Sequence, residues 1–160
     1  MHQNQRTPYV VTDSDLVPAD CCPKDLIEKM LGVLSAYPEC GKVGSSLRLD
    51  NIPDLSRDFI THGDGKGWEG EGIYWRDRHP SGAFKAPIDT TFSLYLPRSP
   101  WIPAGWQNIR LDEPYVVEHI PWLVQELTEE EEYYRERANN TWSHISWPSP
   151  LNEKLKKDSE

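Results

Sequence analysis

The chain has 160 residues, enough for one domain with a buried core and too few to expect two. Its formal charge of -9, with no basic cluster outside Lys154, Lys156 and Lys157, argues against nucleic acid or an anionic membrane as a partner. No apolar run approaches the ~20 residues of a membrane span and no secretory leader is recognisable, so a cytoplasmic protein with reduced thiols is the expectation. Cys21, Cys22 and Cys40 form neither a disulfide framework nor a zinc pattern.

Residues 1–8 are polar and predict a frayed N-terminus. Tyr9-Val10-Val11-Thr12 then predicts a strand, apolar on both faces and therefore in need of neighbours on both sides. It runs into Asp13 and Asp15, two carboxylates one residue apart at the C-terminal end of a strand, where open α/β sheets collect ligands. Acids so close repel unless a cation lies between them, and a hard divalent ion such as Mg2+ or Mn2+ meets that need. The plainer role for the pair is to cap the helix that follows. Pro23 opens that helix, and Leu26, Ile27, Met30, Leu31, Val33, Leu34 and Tyr37 recur at helical spacing as far as Pro38. Cys40-Gly41 turns the chain into a second predicted strand, Lys42 to Leu49, which Asp50-Asn51-Ile52-Pro53-Asp54 ends.

From Asp54 to Pro87 the pattern loosens around Gly63, Gly65, Gly67, Gly70 and Gly72, with Trp68, Glu69, Tyr74 and Trp75 among them. A segment this long with this aromatic content reads as a lid or a substrate-facing loop. It contains no dinucleotide turn and no phosphate loop. Ala86 to Leu96 predicts a strand with Asp89 at its start, either bracing a turn or aimed into the same cleft as Asp13 and Asp15. Ile109 to Leu111 and Tyr115 to Val117 flank Asp112-Glu113-Pro114, and His119 precedes an Ile-Pro-Trp run, a setting in which a histidine is more often structural than a ligand. Thr128 and Glu131 form a capping box for a charged helix through Ala138, and a polar tail follows. Seven tryptophans in so hydrophilic a chain point to rings partly exposed in a groove, where sugars or other flat polar ligands stack.

The order of motifs resembles that of small GT-A-type glycosyltransferases near family 2. The matching pieces are Val10-Val11-Thr12-Asp13-Ser14-Asp15-Leu16, Lys42-Val43-Gly44-Ser45-Ser46-Leu47-Arg48-Leu49-Asp50 with Ile52-Pro53-Asp54, and Ala86-Pro87-Ile88-Asp89-Thr90-Thr91-Phe92-Ser93-Leu94-Tyr95. Pro114-Tyr115, His119-Ile120-Pro121-Trp122 and Leu127-Thr128-Glu129-Glu130-Glu131-Glu132-Tyr133-Tyr134 follow in the same order. The resemblance spans residues 9–142 and leaves 1–8 and 143–160 as terminal segments. It implies an α/β fold: a partial GT-A, Rossmann-like mixed sheet with flanking helices. It also implies transfer of a sugar from a nucleotide-diphosphate donor to the hydroxyl of a glycan or other acceptor, with Mn2+ or Mg2+ taking up charge on the departing diphosphate.

On that resemblance Asp15 binds the metal and Asp13 the donor ribose or a metal-bound water. His119 completes the metal site, Asp89 acts as the base on the acceptor hydroxyl, and Trp68, Glu69 and Trp75 face the acceptor. Two departures stand out. Relatives carry a βαβ portion for the nucleotide base ahead of the Asp-x-Asp strand, where this sequence has only residues 1–8, and the loop around Trp68 carries extra glycines. The expectation is a truncated or split transferase, comprising the metal and acceptor half, completed by another chain or an upstream segment. Two other classes remain open. In a haloacid-dehalogenase-like phosphatase Asp13 would be the nucleophile and Asp15 the acid/base. In a non-catalytic module the aromatic loops would bind glycan or protein.

Overall fold

The computed structural model of the chain describes residues 6–53, 71–88, 91–97 and 107–123, together with Glu129 and Tyr133. Its elements are β1 (Tyr9–Val11), β2 (Leu16–Pro18), α1 (Leu26–Ala36), β3 (Lys42–Leu47), β4 (Phe84–Lys85), β5 (Ser93–Tyr95), β6 (Ile109–His119) and a helical turn at Ile120–Leu123. Short 3-10 turns lie at Pro38–Cys40 and Glu71–Trp75. The protein is thus α/β with a mixed sheet and few helices.

The strands follow the order β1-β5-β3-β6-β2, with β4 also paired to β6. Only β3 and β6 run parallel; the other pairs are antiparallel. Among the described residues β1 pairs with β5 alone, so the interior position that its apolar sequence asks for belongs instead to β3. All six residues of β3 are buried, and it is flanked by β5 on one side and β6 on the other. The run predicted as a strand from Tyr9 is interrupted over residues 12–15, and the chain resumes extended structure only at Leu16. Asp13 and Asp15 therefore sit in the connection between two short strands rather than at the end of one.

Helix α1 forms because Leu26, Met30, Val33 and Leu34 recur on one stripe, and all four are buried. Met30 and Leu34 have no exposed surface, and complete burial of such a side chain contributes roughly 1.5–3 kcal/mol. The helix starts three residues later than the Pro23 signal. Asp25 at its N-cap makes no capping hydrogen bond to the helix backbone and instead accepts one from Tyr115 Oη at 3.3 Å. Pro38 stops α1, and Gly41 takes a left-handed φ of 76° that lets the chain reverse into β3.

Residues directly opposite in register share a face of the sheet. Val10, Val43, Leu94, Ile109 and Leu111 lie together under α1 and join Leu26, Met30, Val33 and Leu34 in the main core. The other face presents Tyr9, Lys42, Gly44, Ser93, Tyr95 and Arg110. A second core of Leu16, Leu47, Ile52, Val117 and Trp122 closes the end where β2 meets β6.

The two apolar segments predicted on either side of Asp112-Glu113-Pro114 are one strand, β6. Its register against β3 jumps from Leu111 to Val116, so Asp112, Glu113, Pro114 and Tyr115 loop out of the ladder. Arg78 pairs with Asp112 across this excursion. The capping-box helix lies largely outside the described residues, in which Glu129 and Tyr133 are helical.

Candidate functional site

The pairing of β2 with β6 sets His119 opposite Leu16, the residue that follows Asp15. The backbone N–H of Ile120 donates to the Asp15 carbonyl at 3.0 Å, which ties the chain beside each side chain to the other. As a result Asp15 Oδ2 stands 3.4 Å from His119 Nε2. The second carboxylate oxygen, Asp15 Oδ1, is buried and accepts no hydrogen bond. A buried carboxylate oxygen without a donor costs free energy on the order of 1–3 kcal/mol or more, and a bound cation relieves that cost. Asp13, more exposed, lies within electrostatic reach of the imidazole.

His119 itself is only 5% exposed, and Trp122 packs on it with ring centroids 4.6 Å apart. That burial holds the imidazole below its ordinary value of 6.5, against the pull of Asp15 and then Asp13 in the other direction. A neutral imidazole keeps the ring lone pair that a metal ion requires.

The strand that carries His119 is braced one residue earlier. Glu118 Oε1 accepts from Asn51 Nδ2 at 2.7 Å and from Arg48 Nη1 at 3.3 Å, while Arg48 also forks onto Asp50 at 2.6 and 3.1 Å. The Arg48 hydrogen bond holds the Asp50 carboxyl below the usual range. The sequence gives Arg48, Asn51 and Glu118 no assigned role, because the pairing joins residues about 70 apart in the chain; the Arg48-Leu49-Asp50 motif marks only one side of it.

The pair that the structure brings together is one carboxylate and one imidazole; carboxylate oxygens suit Mg2+ and Mn2+, whereas imidazole suits softer ions such as Zn2+. Among the described residues no three His, Cys, Asp or Glu side chains form a ready-made metal cage. Such a cage is not needed for Mg2+ or Mn2+, which are commonly held by one or two carboxylates together with substrate phosphates. Asp15, with one buried oxygen that accepts no hydrogen bond, is the carboxylate that the structure sets beside His119.

Of the other sequence candidates, Trp75 and Trp122 are described. Trp75 ends the Glu71–Trp75 turn and packs edge-on against Phe84, with centroids 5.2 Å apart. Phe84 pairs with Arg110 near the start of β6, whereas His119 is the last residue of that strand. The ring contact of Trp75 is with Phe84, at a different point along β6 from Asp15 and His119. Trp122 is buried in the second core rather than open in a groove. Asp89, Trp68 and Glu69 lie outside the described residues. Ile88 and Thr91, which flank the Asp89–Thr90 stretch in sequence, both lie over Gly44. A Cβ built at Gly44 would stand 3.0 Å from the Thr91 carbonyl oxygen and 3.1 Å from Ile88 Cδ1, so glycine is what admits this segment to the sheet.

No family model, curated protein or solved structure matches the chain. Among the described residues no helix is long and apolar enough to cross a membrane.

Proposed function

We propose that this chain is a metal-dependent glycosyltransferase of the GT-A type, or the metal and acceptor part of one, that moves a sugar from a nucleoside diphosphate to an acceptor hydroxyl. The observation that carries this reading is the meeting of Asp15 and His119. Residues from opposite ends of the described chain stand 3.4 Å apart, with one carboxylate oxygen buried and undonated.

In this reading Asp15 and His119 hold a divalent cation, with Asp13 at the solvent side to position a water or the donor ribose. The cation, when bound, supplies positive charge for the diphosphate as it departs. Burial beneath Trp122 favours the neutral form of His119, the form in which a ring nitrogen can serve as a ligand. The Arg48–Glu118–Asn51 brace fixes the backbone from which the imidazole projects, so little ordering is needed on binding. Asp89 is the residue assigned to remove the proton of the acceptor hydroxyl.

Calorimetric titration with Mn2+ tests the reading. Saturable binding to the wild type is expected, with affinity lowered roughly 10-fold or more in Asp15→Ala and in His119→Gln. Hydrolysis of UDP-glucose or GDP-mannose, followed by release of the nucleoside diphosphate, is expected to need the same residues. Absence of saturable Mn2+ binding by the wild type would sink the proposal.

A further inference from the structure

The chain enters β4 through a tight turn, His79-Pro80-Ser81-Gly82, that an imidazole ties together. The Gly82 N–H donates to the His79 carbonyl at 2.9 Å, the His79 N–H donates to the Ala83 carbonyl at 2.9 Å, and Arg78 bridges Phe84 in the antiparallel sense. Pro80 suits the second place of such a turn, and Gly82 takes a left-handed φ of 87°. Inside the turn the Ser81 backbone N–H donates to His79 Nδ1 at 3.1 Å, and the Ser81 hydroxyl lies 2.9 Å from the same nitrogen. That hydroxyl also accepts the Ala83 N–H at 3.4 Å, which leaves its own proton for Nδ1. Histidine thus stands where asparagine or aspartate commonly closes a turn, with a side-chain acceptor for the N–H two residues on. Nδ1 accepts only while it carries no proton, which places the ring hydrogen of neutral His79 on Nε2.

We propose that the His79 turn is a proton-operated latch, closed while Nδ1 is bare, opened when the ring takes up a second proton, and coupled through Arg78 to the Asp112–Tyr115 excursion of β6. Protonation turns Nδ1 into a donor that faces the donor N–H of Ser81, so their hydrogen bond is lost and the Ser81 hydroxyl must reverse. Arg78 carries the effect onward. Its Nη1 donates to the Gly82 carbonyl at 3.0 Å and pairs with Asp112, and its guanidinium carbon lies 4.1 Å from the centroid of the Phe84 ring. A turn that opens displaces the Gly82 carbonyl, one of the points that set this guanidinium beside Asp112. The surroundings fix the direction of the response. The imidazole meets the Tyr37 ring edge-on at the end of α1, with centroids 4.6 Å apart. Burial and then Lys85 on β4 oppose its protonation, whereas Glu39 in the turn after α1 and Asp77 ahead of the latch favour it. The first pair prevails and holds His79 below its ordinary value of 6.5, so the latch is closed at neutral pH and opens in acid. It works independently of any metal at Asp15 and His119.

The test uses the full chain in NMR between pH 8 and 5. Long-range 15N–1H spectra of the imidazole are expected to show the proton on Nε2 and none on Nδ1 at pH 8. As His79 titrates, amide protection at Ser81 and Gly82, corrected for the intrinsic exchange rate at each pH, is expected to fall about fivefold or more, the factor that one lost hydrogen bond is worth. Protection in α1 and β3 falls less, and the shifts of Asp112 and Glu113 follow the His79 midpoint. His79→Asn supplies an uncharged acceptor in the place of Nδ1 and is expected to keep Ser81 protected across the range. His79→Phe keeps a ring against Tyr37 without the acceptor and is expected to leave the turn open at pH 8. Lys85→Gln moves the midpoint to higher pH and Glu39→Gln moves it to lower pH. A proton on Nδ1 at pH 8, Ser81 protection unchanged through the titration, an equal fall in α1 and β3, or a His79→Asn variant that opens with the wild-type midpoint each overturns the latch. Shifts at Asp112 and Glu113 that ignore the His79 midpoint overturn the coupling through Arg78.

Discussion

The face of the sheet under α1 is built from Val43, Leu94, Ile109 and Leu111 with half-buried Val10 at its edge, whereas the opposite face buries Lys42, Ser93, Tyr95 and Arg110. On the first face no partner has to be matched, because apolar burial is non-directional and any well-shaped hydrocarbon will serve. On the second, each charged group meets a specific acceptor. Lys42 Nζ donates to Tyr95 Oη at 3.1 Å, where Tyr95 stacks on Tyr9 at 5.1 Å, and Arg110 meets Glu71 and Pro87. A cation taken from water without such acceptors would be strongly destabilising. The comparison teaches that one side of this sheet sets how stable the domain is, and the other sets where particular loops must lie.

Three measurements sharpen or break that contrast. The largest effect is expected on the α1 face. Leu34→Ala removes a side chain with no exposed surface from the main core, and the lost burial and residual cavity should cost about 3 kcal/mol in urea unfolding. A loss below about 1 kcal/mol would mean that the helix contributes far less to the domain than its buried stripe indicates.

A smaller loss is expected from Gly44→Ala on the opposite face. The new methyl group meets the Thr91 carbonyl oxygen at 3.0 Å, a backbone atom that cannot rotate away, beside Ile88. Overpacking of this kind costs about 2 kcal/mol, and it should shift the 88–92 segment while leaving α1 in place. Equal chemical-shift changes on both faces in NMR spectra would contradict the separation.

The smallest effect concerns pH at the end of the sheet, where β2 meets β6. Burial lowers the folded-state value of His119, so the unfolded chain takes up this proton first as acid is added. The stability linked to His119 is complete above its ordinary value of 6.5 and is lost as pH falls from there through the folded value. His79 is displaced the same way, by burial and by Lys85, so the wild type alone does not isolate His119. Thermal melts of wild type and His119→Gln between pH 8 and 5 should show a shallower loss in the variant. Identical slopes would show that the imidazole is not desolvated as described.

Much of the first face is legible in the sequence. The helical recurrence of Leu26, Met30, Val33 and Leu34 predicts α1 and its buried stripe, because hydrophobic periodicity is a local signal. The turn at Gly41 is equally local. Less legible is β6, where the acidic, proline-containing stretch Asp112–Pro114 reads as a break between two segments. The ladder loops these residues out and continues beyond them. The candidate site was half visible: Asp13 and Asp15 announce themselves as a close acidic pair, but their setting between two short strands does not. His119 gains interest only through Asp15, and the Arg48–Glu118 brace gives no local sign at all.

By itself, the sequence determined that this chain forms an α/β domain with a helix packed on strands, and that two acids stand close together after an apolar run. Neighbouring residues decide such features through periodicity, turn chemistry and backbone reach. Only the tertiary structure decided that β3 rather than β1 is central, that Asp15 lies against His119, and that Arg110 gathers Glu71, Tyr74 and Pro87. Those outcomes depend on strand order and register, which join residues tens of positions apart and which no short window of sequence encodes.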